Sequence, residues 1–142
     1  MRAVSSQPPD GYTLLIYSSG LWVAPLIESV PWDPIRDFSP IIMMARAPNV
    51  LVVHPSLPVK SVRELITLAR SRPGELHYSS GQNGAGTHLS AELLKSMAKL
   101  DIVRVVYKGT GLGVTAVVSG EVQLQFPSVG SVEPFLKSNR LR

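Results

Sequence analysis

Between Tyr78 and Leu89 the chain reads Tyr78-Ser79-Ser80-Gly81-Gln82-Asn83-Gly84-Ala85-Gly86-Thr87-His88-Leu89, with Gly81, Gly84 and Gly86 lying between a strand-forming run and an amphipathic one. Glycine has no Cβ to hold a ligand off, so backbone N–H groups can close on it, and the positive end of a helix dipole at such a junction favours negative charge. The chemistry offered is anion binding. Thr87 is expected to add a hydroxyl at the helix N-cap. A second junction, Tyr107-Lys108-Gly109-Thr110-Gly111, has the same character, and Lys108 brings a cation to it. A carboxylate held there would gain about 0.3–1 kcal/mol from the dipole and roughly 1.5–3 kcal/mol per hydrogen bond to the charged group. Both stretches also fit a plain strand-to-helix turn in which glycine serves only tightness.

Other chemistries fit less well. The chain has no cysteine, no G-x-S-x-G elbow and no second histidine at metal-ligand spacing from His88. His88 is therefore read as structural or as a polar pocket wall, and His54 and His77 as structural. No cofactor or metal is implied. Trp22 and Trp32 read as packing residues; Trp22, just beyond the small polar run Ser18-Ser19-Gly20, is the better pocket candidate. A dinucleotide site is the rival. The loop spacing is G-x-x-G-x-G and not G-x-G-x-x-G, and Asp101 precedes the next strand where a ribose-reading acid belongs at its far end. The Gly-Lys-Ser/Thr of a P-loop is missing.

The elements that must position these residues can be read from hydrophobic period and turn chemistry. Tyr12–Tyr17 is rich in strand formers, follows Pro8-Pro9-Asp10-Gly11 and stops at Ser18. Trp32 to Pro40 reads as turns, Ile41–Ala45 as a strand candidate and Asn49–His54 as a buried strand closed by Pro55. Strands and helices then alternate. Ser61 and Glu64 form a capping box for a helix with Val62, Leu65, Ile66 and Ala69 on its apolar face, ended by Pro73-Gly74. Leu76–Ser79 is a strand, and the helix after the glycine loop places Leu89, Leu93, Leu94 and Met97 on one side. Ile102–Val106 is a strand, a helix then runs to Ser119-Gly120, Val122, Leu124 and Phe126 alternate with glutamines in a last strand, and Ser131–Lys137 is helical. The fold class is α/β, with a mainly parallel sheet flanked by helices. In such sheets ligands bind beyond the carboxyl ends of the strands, where the small polar loops lie.

Bulk properties agree. With 142 residues, 44% of them apolar and 17% charged, the chain is globular in composition. Its net charge of +4 would attract anions, but the basic residues are dispersed and not interleaved with aromatics, so nucleic acid is not expected as a partner. The first residues contain no apolar h-region, and Pro40, Arg46, Pro48 and Pro55 interrupt the most apolar stretch.

Several phrases in series resemble the periplasmic solute receptors of tripartite tricarboxylate transporters, the Bug family. They are Pro9-Asp10-Gly11-Tyr12-Thr13-Leu14-Leu15, Ser18-Ser19-Gly20, Trp32-Asp33-Pro34 with Asp37-Phe38, Pro48 to Val53 followed by Pro55-Ser56-Leu57-Pro58, the glycine loop with His88-Leu89 and Glu92-Leu93, and Tyr107-Lys108-Gly109. The resemblance implies a two-lobed periplasmic binding protein that closes on a small carboxylate solute and delivers it to membrane components of a transporter, without catalysis. By position, it assigns Ser18, Ser19 and Gly20 to the first lobe's ligand loop. Asn83, Gly84, Gly86, Thr87 and Tyr107 fall to the second lobe's side of the cleft, with Trp22 and His88 as further pocket residues.

Residues 1–52 would be a remnant of the first lobe, reaching the start of a hinge strand at Val50–His54, and residues 53–142 a nearly complete second lobe. The resemblance further implies a chain truncated at both ends, a piece of a receptor. Its orphaned strands would pair in a homodimer or domain-swapped dimer, or it would be a fragment that binds nothing and self-associates. Two departures from the family pattern bear on specificity: Pro127 stands where an acidic residue is common, and Ala85 where a hydroxyl is common.

Overall fold

The computed structural model describes residues 1–142, the side chain of Arg2 excepted. Its centre is a four-stranded sheet in the order β1-β4-β2-β3, made of β1 (Val52–Val53), β2 (His77–Ser80), β3 (Val103–Val106) and β4 (Leu124–Gln125). β2 is parallel to both β3 and β4, and only β1 runs antiparallel, on β4. The α/β class and the mainly parallel sheet are as expected. Beside β1, Val53 exchanges backbone hydrogen bonds with Arg142, N–H to oxygen at 2.8 Å and 3.1 Å.

Two apolar layers cover the sheet. Leu65 and Ala69 of α3 (Val62–Ser71) and Ala91 and Ala98 of α4 (Gly86–Ala98) pack on Tyr78 and Leu124. Val114 and Val117 of α5 (Thr110–Val118) and Val132 of α6 (Val129–Lys137) pack on the opposite face with Val52 and Val122. Crossovers on opposite faces make the chain leave β2 and β3 in opposite directions, and a crevice opens between their outgoing loops. α3 starts with half of the expected capping box: Ser61 Oγ accepts from the Glu64 N–H at 3.2 Å, while Glu64 Oε2 reaches one residue past the cap and accepts from the Lys60 N–H at 2.7 Å. Gly113 lets α5 lie close on the sheet, for a Cβ there would meet Gln125 Nε2 and the Ser79 side chain.

Other expectations are corrected. Tyr12–Tyr17 and Ile41–Ala45 form no strand; Tyr12, Leu14, Ile16, Ile41, Ile42, Met43 and Met44 are all exposed. Strand propensity needs a pairing partner to become a strand, and the described residues offer these segments none. Asn49–His54 narrows to β1 and a bridge between Asn49 and Ser128. In place of a plain loop, Ser19 leads into the helix α2 (Gly20–Ile27), with Pro25 inside it, and α1 (Arg2–Ser5) precedes.

On α4 the buried positions are Thr87, Ala91 and Ala98, while Leu89, Leu93 and Met97 face outward, Met97 at 77% exposure. The helix lies close to the sheet through its small residues, so the bulkier stripe is turned away. Gln125 is fully buried and does not alternate outward, because helices cover both faces of this sheet.

Candidate functional site

The first junction folds as a strand end, a tight turn and a helix start. Gly84 sits at φ +75°, a conformation that glycine adopts without cost, and a Cβ there would stand 3.2 Å from both Ala24 N and Val23 Cβ of α2. The turn and α2 are thus packed against each other. The N-cap is Ala85, with no side-chain cap. Thr87, expected at that position, lies inside the helix with its Oγ1 accepting from the Gly81 N–H at 3.0 Å, which closes the loop from within.

The remaining loop side chains also hold the loop. His88 Nδ1 accepts from the Gly84 N–H at 3.3 Å, which requires a neutral ring with its proton on Nε2. Burial, and then the positive charge of Arg104, keep His88 below the ordinary imidazole pKa, so the neutral ring is the favoured form. Ser19 Oγ donates to Gly84 O at 3.3 Å, Gly20 is buried beside Gln82 and Asn83, and a Cβ on Gly86 would collide with Asn49 Nδ2. Asn83 donates to Glu28 Oε2 at 2.8 Å and accepts from Arg104 at 2.7 Å.

Below the loop, the Tyr78 hydroxyl donates to Glu92 Oε1 at 2.5 Å, and Lys95 Nζ donates to the same oxygen at 2.9 Å. Burial and then this bond push the Tyr78 phenol well above its usual range. Burial alone would raise Glu92, but the bonds from Tyr78 and Lys95 outweigh it and hold the carboxyl low.

The second junction is open by comparison. Gly109, at φ +110°, precedes α5, and a Cβ on Gly109 or Gly111 would meet nothing within 4 Å. The start of α5 is held from beneath, where the buried Gln125 Nε2 donates to Thr110 O at 3.3 Å while its Oε1 has no partner among the described residues. The Tyr107 hydroxyl donates to Glu121 at 2.8 Å; burial and then that bond push it up to about 12.

Between the two junctions lies a cleft of about 670 Å³. Gly81, Gln82 and Ala85 form one wall, Val106 to Thr110 the other, and Tyr17 and Ser18 close the side. Of the ten ligand-binding candidates named from the sequence (Ser18, Ser19, Gly20, Trp22, Asn83, Gly84, Gly86, Thr87, His88 and Tyr107), Ser18 and Tyr107 line this cleft, together with Gly81 and Lys108–Thr110 of the two glycine junctions. Ser19, Gly20, Asn83, Gly84, Gly86, Thr87 and His88 are not among its lining residues and hold the first loop through the contacts above, while Trp22 is half exposed on α2, the carbonyl of the preceding Leu21 accepting from Trp32 Nε1 at 3.5 Å. Lys108 is exposed at the rim, and no acidic side chain lines the cleft. The first turns of α4 and α5 bring N–H groups without intrahelical acceptors to its two walls. Such a cleft suits a small anion with an apolar body.

Sequence reasoning named both loops but missed Tyr17, Gln82 and Val106 as wall residues and Arg104 as the clamp behind the wall. A charged residue between Val103 and Val105 in an otherwise apolar strand was the available signal for Arg104.

Comparison with known proteins places these features in a family. The description "Tripartite tricarboxylate transporter family receptor" matches residues 1–142. A UPF0065 protein from the tcbD-tcbE intergenic region of Pseudomonas sp. (strain P51) is 34% identical over 140 residues, 98% of this chain and 42% of that protein. Protein BugT of Bordetella pertussis is 32% identical over 143 residues, 99% of this chain and 44% of BugT. R. palustris Rpa4515, solved with adipate, is 38% identical and superposes with a TM-score of 0.92 over 99% of this chain and 48% of its own. The chain thus spans less than half the length of each of these relatives. The match takes in both glycine junctions, α2 and every strand of the sheet, and the chain belongs to the receptor family of the tripartite tricarboxylate transporters.

Proposed function

We propose that this chain supplies the second lobe, and part of the first, of an extracytoplasmic receptor that captures a small carboxylate in the periplasm and presents it to the membrane components of a tripartite transporter. It binds and releases its solute without chemical change. The lobes meet at β1, with residues 1–52 on one side and 53–142 on the other. The observation that carries this reading is the cleft between Gly81–Ala85 and Val106–Thr110, flanked by two helix N-termini, edged by Lys108 and free of acidic lining. The adipate held by Rpa4515, a relative at 38% identity, supports a carboxylate as ligand. Among the described residues no helix is long and apolar enough to cross a membrane.

The nucleotide reading lacks support at its deciding residue. Asp101 precedes β3, whereas Val106, at that strand's other end, lines the cleft. A ribose-reading acid would have to stand at the cleft end.

Titration calorimetry of the protein with adipate, succinate, aspartate and a dinucleotide tests the proposal. We expect saturable binding of a dicarboxylate, no preference for aspartate over succinate, since no acid lines the cleft to receive an ammonium group, and no heat from the dinucleotide. Binding of the dinucleotide alone would overturn the receptor reading. The exposed apolar segments Tyr12–Ile16 and Ile41–Met44 support self-association of this chain as a homodimer or swapped dimer. Light scattering at increasing concentration should show more than the 15.4 kDa monomer; a monomer throughout would exclude it.

A further inference from the structure

Arg104 lies opposite Tyr78 on the edge strand β3, and cross-strand partners share a face, so its side chain runs out under the glycine loop. Every arm of its guanidinium is engaged there. Nε donates to Ser80 Oγ at 2.6 Å, one terminal nitrogen to Gly81 O at 2.8 Å and the other to Asn83 Oδ1 at 2.7 Å. Asn83 carries the connection onward, its Nδ2 donating to Glu28 Oε2 at 2.8 Å, and Glu28 is the C-cap of α2. A cation on the sheet edge and a carboxylate on α2 are thus joined through one amide, which has accepted from the first and donated to the second.

We infer that Arg104 is a positioning residue for the cleft, acting with Asn83 and Glu28 as a latch that sets the glycine loop and docks α2 on it. Two consequences follow from the geometry. Drawing the Gly81 carbonyl toward Arg104 turns the Gln82 N–H, on the opposite edge of the same trans peptide, away from it; Gln82 lines the cleft and its N–H has no protein acceptor among the described residues. And fixing Asn83 to Glu28 adds a polar tie to the apolar seat of Val23 and Ala24 on Gly84. Three of its five N–H donors are committed inside the protein, which fixes the plane of the fork. A planar fork satisfies three acceptors at fixed angles, which an ammonium cannot do.

The effect on solute binding rests on the receptor reading above; the latch itself does not. The test is amide hydrogen exchange of the full 142-residue chain, with adipate affinity measured in parallel. Arg104→Ala and Arg104→Lys should both raise exchange of the hydrogen-bonded amides of Gly81 and Gly84 and of α2 by roughly tenfold, because keeping the charge does not restore the fork. Asn83→Asp sets a carboxylate against Glu28 and should loosen α2 to a similar extent. Adding Glu28→Gln to Asn83→Asp exchanges acceptor and donor, lets the amide of Gln donate to the carboxylate, and should return protection to within about twofold of the parent. Arg104→Lys matching the parent, or the double variant no better protected than Asn83→Asp alone, would overturn the latch. If the parent itself fails to bind adipate while the exchange pattern holds, the solute reading falls and the latch stands.

Discussion

The two walls of the cleft are built from the same local grammar, a strand running into a glycine turn and a helix start, yet they are held in opposite ways. The turn before α4 is gripped from every side: Thr87 and His88 take its N–H groups, Arg104 its carbonyl, and α2 packs on Gly84. The turn before α5 is held more loosely: Tyr107 anchors its start through Glu121, Gly109 and Gly111 have open space around them, and Gln125 secures the first helical carbonyl from below. One wall is preorganised and the other is left accessible. For a binder this division is useful, because preorganisation lowers the ordering cost of binding while an open wall admits the solute.

Substitutions should expose the contrast, most strongly at the gripped turn. Gly84→Val demands a positive φ from a branched residue and drives its side chain into α2; we expect a loss of about 1–3 kcal/mol in unfolding free energy and no measurable dicarboxylate binding. Chemical denaturation and calorimetry check both, and unchanged affinity would mean that the loop is only a turn. Gly109→Ala carries conformational strain alone, with open space around the new methyl, and should cost about 1–2 kcal/mol while leaving the first wall's exchange protection intact.

The grip on the first turn is also pH-dependent. His88 is held neutral in the fold, below its ordinary value of 6.5, so the unfolded chain binds the extra proton more readily. The stability this contributes is present above 6.5 and is lost as the pH falls through 6.5 toward the lowered folded value. Melting temperatures between pH 8 and pH 5, taken as about the range in which imidazoles titrate, should therefore fall in the parent and fall less steeply in His88→Gln. Equal slopes would place the titrating group elsewhere.

The smallest effect is expected at the open wall: Gly111→Ala sits in the first turn of α5 with nothing within 4 Å and should be neutral or stabilising by up to about 1 kcal/mol. A marked loss of stability or affinity there would show that the second wall is more constrained than its surroundings indicate.

How far the sequence could be read follows the same division between local and non-local causes. The alternation after Pro55, the capping box at Ser61 and both glycine junctions were legible because turn chemistry and short-range periodicity determine them. Tyr12–Tyr17 misled because its composition reports what a strand would accept and not whether a partner exists. α4 misled in another way: Leu89, Leu93 and Met97 form the more hydrophobic stripe, but Ala91 and Ala98 permit close approach to the sheet, and proximity chose the small residues. α2 was hidden by Pro25 and by an N-cap serine whose hydroxyl serves Gly84 O and not its own helix. At the site, the loops could be named from glycine spacing, but the division of their residues into wall and support could not. That division depends on Arg104 and Glu28, which are distant in sequence and meet at Asn83 only once β3 and α2 are in place.

The central claim is that an anionic solute is held between the two junctions, and amide chemical-shift mapping of the isotopically labelled protein during an adipate titration tests it most directly. Saturable shifts should concentrate at the amides of Gln82–Thr87 and Lys108–Leu112, with little change around Asp101 at the other end of the sheet. Shifts that never saturate, or that gather away from both junctions, would contradict it.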